Sequence, residues 1–454
     1  MQRPHPKPGS DPDALPPGTA GESPVVAPLS RQPNRSLPTL TTALLLFLTA
    51  LGSLGAYKKW QSRHQPATPF PLPRETLVAT TPPFLVPPPP APIPGTERVL
   101  ADTGGAIAEI TLHYSLEDEG MLGSFYEDLF AKLPPEVNFK VFCPSEEAIE
   151  DFERRWAALA EKADREVALF NVGRTLSLWP RDRRIARQML DGSPARSFVP
   201  SPVAGYEEDK RNDLLITSIL WPTGHLPGAL LVSFQLEGGN LVVNDDHLFT
   251  GINVLDENTE KFGNETELAQ ALEQVFGMPA FILKDRNHSV PWDHADMYVT
   301  PLRDRMMLVA DLEAGLRLYK QGQTKPPPGQ TSSSSTTLPW DETQVQPEPD
   351  AVASLEDIAA QLAALGYEIR RLPALMQDLK EWMLTYNNVL MEHRDGRDIV
   401  YLPVYHQPTL DQAAINAYRE LGFEVRTVNV SQIYHMGGAI RCLANVTRRQ
   451  PRSW

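Results

Sequence analysis

The sequence predicts one large α/β domain that is preceded by a single membrane-spanning helix. Short apolar runs of strand length recur along much of the chain, and helical segments lie between many of them. An uncharged stretch of 21 residues near the N-terminus indicates the membrane helix. Of the 454 residues, 44 are prolines, and they concentrate in residues 1–94 and 321–350, so the folded part is expected to lie outside those two regions.

The N-terminal fifth of the chain is expected to anchor the domain rather than belong to it. Residues 1–36 are polar and proline-rich, which is typical of a disordered tail. Residues 37–57 carry no charge and would span about 31 Å as a helix, close to the thickness of a bilayer core. Lys58, Lys59 and Trp60 follow as an interfacial anchor. A buried core helix is the alternative, but the disordered sequence on both sides leaves it no core to join.

The side of the membrane that the domain faces is not decided by charge. Two basic residues precede the span within about 20 residues and four follow it, which weakly favours a cytoplasmic domain. Counting the whole tail makes the numbers equal. Residues 58–96 form a proline-rich linker that favours an extended stalk, and this stalk gives a slight preference for the extracytoplasmic face.

The folded domain is predicted to cover residues 97–448, with a C-terminal tail at 449–454. Strands are predicted at 106–114, 137–143, 167–170, 214–220, 229–234, 241–243, 280–283, 306–309, 399–402 and 425–429. Helices are predicted at 124–133, 145–163, 265–276, 355–365 and 410–421. Residues 321–350 contain three consecutive prolines and four consecutive serines, and we expect a disordered insertion there.

Composition excludes several classes of function. The formal net charge is −15 and no block of basic residues occurs, so nucleic acid is not an expected partner. The two cysteines, Cys143 and Cys442, exclude a disulfide scaffold and have no metal-ligand spacing. Cys143 ends an apolar strand and is interpreted as structural. No phosphate loop or dinucleotide motif is found, so neither a cofactor nor a metal is expected, and the oligomeric state is left open.

Four short segments carry side chains that could do chemistry. They are Trp179-Pro180-Arg181-Asp182, Glu237-Gly238-Gly239, His294-Ala295-Asp296 and Gly437-Gly438-Ala439-Ile440-Arg441-Cys442. Each segment alone has an ordinary explanation, such as a turn, an ion pair or a packed cysteine. Together they supply a thiol, an imidazole and three carboxylates, which are the parts needed for a cysteine nucleophile that acts on a cationic substrate.

In this order the four segments resemble those of the guanidine-modifying superfamily with the pentein fold, and especially agmatine deiminase and the bacterial type of peptidylarginine deiminase. Residues 386–388 and 400–403 add to the resemblance, which covers about residues 97–448. It implies a pentein-type α/β propeller built from pseudo-fivefold ββαβ modules. The chain departs from the family at Arg441, where a histidine often precedes the cysteine. Alternation along a strand would point the Arg441 side chain away from Cys442.

The resemblance also implies a hydrolytic mechanism. Cys442 would be the nucleophile that forms a thiouronium intermediate. His294 would protonate the departing ammonia and then activate water, and Glu237 would orient and charge the histidine. The product would carry a ureido group in place of the guanidinium.

Substrate binding is implied for Asp182 and Asp296, which would clamp the planar guanidinium through charge-assisted bonds, with Trp179 beside them. Peptidyl-arginine suits an enzyme on a stalk, whereas agmatine, a precursor of putrescine, suits the sequence neighbourhood. Two other functions stay open. One is an amidinotransferase, which replaces water by an acceptor amine. The other is a membrane-anchored module that binds a guanidinium or a peptide without turnover.

Overall fold

The computed structural model describes most of the predicted domain and almost none of the sequence before it. The described residues are 74–76, 97–162, 165–189, 192–193, 195, 197–201, 207–220, 228–285, 294–324, 348–377 and 382–450. The predicted tail at 1–36 and the predicted membrane span at 37–57 therefore lie outside them. Among the described residues, no helix combines the length and apolar character that a membrane crossing needs. All of the described residues belong to one unit, Pro69–Trp454.

Strands and helices alternate along this unit. The strands are β1 Arg74–Thr76, β2 Glu97–Val99, β3 Ile107–His113, β4 Asn138–Cys143, β5 Val167–Asn171, β6 Arg187–Met189, β7 Ser197–Ser201, β8 Ala229–Gln235, β9 Val242–Val243, β10 Leu248–Gly251, β11 Ala280–Leu283, β12 Val299–Pro301, β13 Met306–Asp311, β14 Glu368–Pro373, β15 Leu375–Gln377, β16 Trp382–Leu384, β17 Leu390–Arg394, β18 Arg397–Val404, β19 Glu424–Asn429 and β20 Asn445–Arg449. The helices are α1 Glu119–Lys132, α2 Glu146–Lys162, α3 Glu208–Asp213, α4 Leu215–Leu220, α5 Asn253–Asp256, α6 Glu265–Phe276, α7 Leu312–Thr324, α8 Pro349–Ala364, α9 Pro408–Glu420 and α10 Ile440–Leu443. The predicted α/β class is confirmed.

Five parts of the chain share one connectivity, in which an antiparallel strand pair is followed by a helical crossover to a parallel strand. The pattern is clear in β9–β10–α6–β11, in β12–β13–α7–α8–β14 and in β17–β18–α9–β19. In the fourth part, Ile185 bridges Phe198 in antiparallel fashion, and α3 and α4 then lead from β7 to the parallel β8. In the fifth, β20 pairs antiparallel with β3, and α1 leads to the parallel β4. We call these five parts the modules.

Helix α6 shows how the local sequence specifies such a crossover. The Asn264 side chain caps the helix by accepting a hydrogen bond from the Glu267 N–H at 3.1 Å. Its buried residues Leu268, Leu272 and Phe276 recur every four positions and face a shared apolar core. Both ends of this helix are as predicted from the sequence.

One predicted strand is a helix. Residues 214–220 form an apolar run of strand length, but the structure places the short helix α4 there, directly after α3. The adjacent residues Ile216 and Thr217 are both buried, as is Leu220, which is a helical rather than an alternating pattern. A short apolar run of this kind does not distinguish the two structures by periodicity.

The predicted boundaries also shift at three places. Within the predicted linker, Arg74–Thr76 forms β1, which pairs in parallel with β5. The predicted insertion at 321–350 is shorter, because α7 continues to Thr324 and α8 begins at Pro349. At the predicted tail, Arg449 belongs to β20, and its buried guanidinium donates to the Met391 carbonyl at 2.7 Å.

Candidate active site

The four motif segments and one further segment occupy equivalent positions in the five modules. Asp182, Asp296 and Cys442 each lie three residues before the residue that begins the first paired strand of a module, namely Ile185, Val299 and Asn445. Gly239 precedes β9 and Asn387 precedes β17 by the same interval. The same turn in each of the five modules therefore lies in or next to a segment of the site.

These turns meet at a cleft whose empty space, including the part open to solvent, is about 410 Å³. It is lined by Trp179, Asp182, Arg183, Lys210, Glu237, His294, Met436, Gly437 and Cys442. All but one of the side chains that the sequence nominates line the cleft. The exception, Asp296, is buried directly beside Cys442 and His294, with donor or acceptor atoms of the three within 4.8 Å of one another.

Two glycines of the motifs are explained by close approaches inside the site. A Cβ atom on Gly239 would lie 2.3 Å from Nδ1 of His294, and a Cβ on Gly438 would lie 2.4 Å from the Trp179 ring. Contacts that short do not occur, so any side chain at these positions would displace the histidine or the tryptophan. The glycines thus keep the imidazole and the indole in place.

The imidazole of His294 is held by carboxylates. Its Nε2 lies 2.5 Å from Oε2 of Glu237, and the other Glu237 oxygen is 2.7 Å from Nη1 of Arg183. On the opposite side, Nδ1 is 3.9 Å from Oδ1 of Asp182. Burial by itself would lower the pKa of His294, but Asp182, the Cys442 sulfur and Glu237 together raise it well above its usual value. The histidine is therefore charged at neutral pH and has a proton to give.

The sulfur of Cys442 is buried and faces both donors and carboxylates. Asn388 donates from Nδ2 to Sγ at 3.1 Å, while its Oδ1 accepts the Arg441 N–H at 2.9 Å. Burial and the charge of Asp296 raise the pKa of the Cys442 thiol, and the hydrogen bond with His294 opposes them. In this environment the thiol is thus harder to ionise than an ordinary cysteine, and a bound cation would oppose this by neutralising the carboxylate.

Asp182 and Asp296, the two carboxylates that the resemblance assigns to substrate binding, are in different environments. Asp182 Oδ1 accepts the Gly239 N–H at 3.2 Å, and burial raises the pKa of its carboxyl. Asp296 Oδ2 accepts from Nη1 of Arg441, whereas Asp296 Oδ1 is buried without a hydrogen-bond partner in the described part of the chain. An unpaired buried carboxylate oxygen is costly, so it marks a place where a donor from a ligand would be favourable.

The expected direction of Arg441 was wrong. The residue lies in the short helix α10 and not in a strand, so alternation does not apply to it. Its side chain is buried and binds Asp296 and Asp102 instead of pointing away from the site.

The same donor set could in principle hold a metal ion, although the sequence predicts none. His294, Asp296 and Cys442 form one group of possible ligands, and Asp182, Glu237 and His294 form another. Both Glu237 oxygens and one Asp296 oxygen already face cationic side chains. What is left is a set of acceptor atoms beside a thiol, which suits an organic cation with several N–H donors.

Sequence reasoning did not assign site roles to Asn388, Arg183 or Lys210. Asn388 was noted only as part of a segment that supports the resemblance, and its contact with Cys442 joins residues 54 positions apart. The available signal was the spacing within modules, since the Asn387-Asn388 pair occupies the turn that elsewhere carries Asp182, Asp296 and Cys442. Arg183 directly follows Asp182 in the sequence, so its charge suggested only an ordinary ion pair and no separate role in the site.

The fold is that of the guanidine-modifying deiminases, and the resemblance predicted from the motifs is confirmed at the level of the fold. Among solved structures, C. jejuni agmatine deiminase is similar with a TM-score of 0.53 and 15% identity, covering 78% of this chain and 96% of that chain. The agmatine deiminase of Enterococcus faecalis gives 0.54 and 13%, over 79% and 97%. A peptidyl-arginine deiminase-like protein gives 0.53 and 14%, over 77% and 98%.

No protein-family model and no curated protein sequence matches the chain. At identities this low, the structural similarity establishes the fold, and the activity has to be argued from the site itself.

Proposed function

We propose that this protein is a guanidine hydrolase that converts a guanidinium group to a ureido group and ammonia. The observation that carries the proposal is the convergence of Cys442, His294 and Asp296 within 4.8 Å of one another, with Asp182 and Glu237 within the same distance of His294. A thiol, a charged imidazole and paired carboxylates are the parts that this reaction needs. A pure binding module would have no use for the thiol.

In the proposed reaction, the substrate guanidinium donates to Asp182 and to the unpaired Oδ1 of Asp296. Neutralising these charges lowers the pKa of the Cys442 thiol, which burial and Asp296 otherwise raise. The thiol releases its proton to solvent, the thiolate attacks the guanidinium carbon, and His294 gives its proton to the amino group that leaves as ammonia, so that an S-alkylthiouronium remains on the cysteine. His294 then takes a proton from water and the hydroxide attacks the same carbon. The C–S bond breaks as the hydroxyl proton passes to the sulfur, which releases the ureido product and restores the thiol, and the ammonia takes up the proton released at the start.

For the substrate we propose the arginine side chain of a peptide in preference to agmatine. The cleft lining includes Lys210 and Arg183 as well as the carboxylates. A second positive charge, such as the ammonium group of agmatine, would approach these cations at a cost, whereas a peptide chain carries no charge at the corresponding place.

The decisive assay offers the full-length chain agmatine, L-arginine and benzoyl-arginine amide side by side and measures both ammonia and ureido product. We expect the amide to be turned over fastest. A set of reactions with EDTA tests the metal alternative and should show no loss, and a set with glycine as acceptor tests the amidinotransferase. Absence of ammonia with all three compounds would contradict the proposal, as would activity that depends on glycine.

We further propose that the five modules close into a pentein-type propeller. The pairing of β20, the last strand among the described residues, with β3 near the start of the domain supports closure, because one module is thereby completed by both ends of the domain. An experimental structure with the modules in an open row would contradict it.

Anchoring to a membrane through residues 37–57, with the domain on the extracytoplasmic face, is also proposed on the sequence alone. Protease treatment of intact cells tests the orientation, and full protection of the domain would contradict it. A soluble fragment should begin at Pro69 rather than at residue 97, because β1 pairs with β5.

A further inference from the structure

A buried arginine connects Asp296 to a second carboxylate behind the cleft. Arg441 donates from Nη1 to Asp296 Oδ2, and from Nε and Nη2 to Asp102 Oδ1 at 3.1 and 2.8 Å. Its Nη2 also contacts Asp102 Oδ2 at 3.0 Å and the Leu241 carbonyl at 2.7 Å. Asp102 is fixed in turn, since its Oδ2 accepts the Val243 N–H at 2.9 Å.

This connection decides which part of Asp296 a substrate can reach. One oxygen is taken by Arg441, so only Oδ1 is left for a ligand, and that atom is buried without a partner among the described residues. The two-pronged pairing of Arg441 Nε and Nη2 with Asp102 fixes the plane of the guanidinium, because its fork is rigid, and the single contact from Nη1 to Asp296 is then made from a fixed position.

We propose that Arg441, held by Asp102, is a positioning residue that fixes Asp296 with Oδ1 turned toward the substrate guanidinium. The inference rests on the proposed function and assigns the residue that replaces the usual histidine before the cysteine. Arg441 does not touch the reacting atoms; it acts through Asp296.

Asp102 also has an electrostatic role, which is to compensate the charge of Arg441. An uncompensated Arg441 would present a positive charge close to a cationic substrate and would repel it. Asp102 neutralises that charge from the side away from the cleft, and Arg441 remains available to hold Asp296. The three side chains therefore act as one unit, in which Asp102 prevents the charge of Arg441 from repelling the cationic substrate.

The first test compares Arg441→Gln and Arg441→Lys with Arg165→Gln as a matched control. Arg165 is another buried arginine, and it donates to the carbonyls of Phe130, Leu133 and Pro134 at 2.8–3.0 Å. Using the compound that the parent turns over fastest, we expect Arg441→Gln to raise KM by roughly 10- to 100-fold while kcat falls less than about 10-fold. Arg441→Lys should recover part of the KM, and Arg165→Gln should leave both constants unchanged below its melting temperature.

The pH profile separates positioning from a merely structural role. Without Arg441, the neighbouring buried carboxylates lose a cation and take up protons more readily, so the acid limb of kcat/KM should move to higher pH. Loss of thermal stability alone, with unchanged KM and unchanged pH profile, would overturn the proposal.

Asp102→Asn keeps the inference testable if Arg441→Gln does not fold. It leaves Arg441 in place but removes the compensating charge, so KM should rise by roughly 3- to 10-fold with kcat unchanged. An unchanged KM in Asp102→Asn overturns the proposal. Failure of the proposed function looks different, because the parent itself would then release no ammonia from any of the three guanidines.

Discussion

The two carboxylates that would clamp the guanidinium, Asp182 and Asp296, differ in what supports them. Asp182 belongs to a chain of titratable groups, because its neighbour His294 binds Glu237 at 2.5 Å. Asp296 is attached to a guanidinium, that of Arg441, which is paired in turn with Asp102. The Asp182 side of the cleft therefore contains the imidazole that can transfer a proton, whereas the Asp296 side is held by an arginine.

This difference follows from chemistry rather than from fold, since both residues occupy the same turn position in their modules. A site that must move a proton needs groups whose pKa values respond to one another, while a site that must orient a cation benefits from charges that do not titrate. The repeated module provides equivalent turn positions, and the side chains that contact the residue at each position give that residue a different role.

The largest expected effect is at Cys442, where the two sides meet. Cys442→Ala should reduce turnover by roughly 10⁴-fold or more, because the covalent step is lost, yet calorimetry should still detect guanidinium binding through the carboxylates. Cys143→Ala is the matched control, since this second cysteine is also buried but lies in β4, and burial raises the pKa of its thiol. Ammonia release by Cys442→Ala at the parent rate would refute the covalent mechanism.

The next effect distinguishes the two carboxylates. Asp182→Asn and Asp296→Asn should each lower kcat/KM by roughly 30- to 1000-fold, as expected for loss of one partner in a buried charged pair. Asp182→Asn should also lower the pKa of His294, because the Asp182 charge is the chief influence that raises it. The alkaline limb of kcat/KM would then move to lower pH.

Asp296→Asn should act on the sulfur instead, because Asp296 raises the pKa of the Cys442 thiol. Alkylation of the free enzyme by iodoacetamide should therefore begin at lower pH in this variant than in the parent. If the two variants show the same shifts in both measurements, the contrast between the two sides does not hold.

Much of this site could be predicted from the sequence, because each motif is short and contiguous. The Glu237-Gly238-Gly239 segment contains both the carboxylate for His294 and the glycine that makes room for it. The missing parts, Asn388 and Asp102, act across 54 and 339 positions, and no local pattern reports such contacts. Helix α4 was missed for a different reason: it is one and a half turns long, and its apolar face has the length of a strand.

A smaller effect on turnover is expected at Glu237, which lies on the Asp182 side of the cleft. Glu237→Gln removes a charge that raises the pKa of His294 and leaves Arg183 without its anionic partner at 2.7 Å. We expect kcat to fall by roughly 10- to 100-fold with little change in KM, since Glu237 supports the acid and does not hold the substrate. Glu368→Gln, which breaks an exposed pair with Arg370, is the control and should be neutral. A rise in KM without a fall in kcat would instead place Glu237 in substrate binding.

The smallest effect on turnover is expected at Asp213, which holds the Asp182 side in the fold and whose substitution changes stability instead. Asp213 Oδ1 accepts the Ser177 N–H at 3.1 Å and its Oδ2 accepts the Ser177 hydroxyl at 2.5 Å, while the same hydroxyl accepts the Trp179 N–H at 3.1 Å. Burial raises the pKa of Asp213 to about 7. The carboxyl that supports the Trp179–Asp182 segment thus titrates near neutral pH, unlike the Arg441 guanidinium that holds Asp296.

A carboxyl with a raised pKa favours the folded state most when it is protonated, so its contribution decreases as pH rises from about 4 to about 7. Nearby His113 acts in the opposite sense, because burial lowers its pKa to about 4, and Arg183 and Asp209 also influence Asp213. The comparison must therefore be made between parent and variant. Relative to the parent, Asp213→Asn should gain free energy of unfolding between pH 4 and pH 7, by an amount on the order of 3 kcal/mol. Urea unfolding at several pH values measures this, and a parent-minus-variant difference that does not change with pH would show that Asp213 is not the group that titrates.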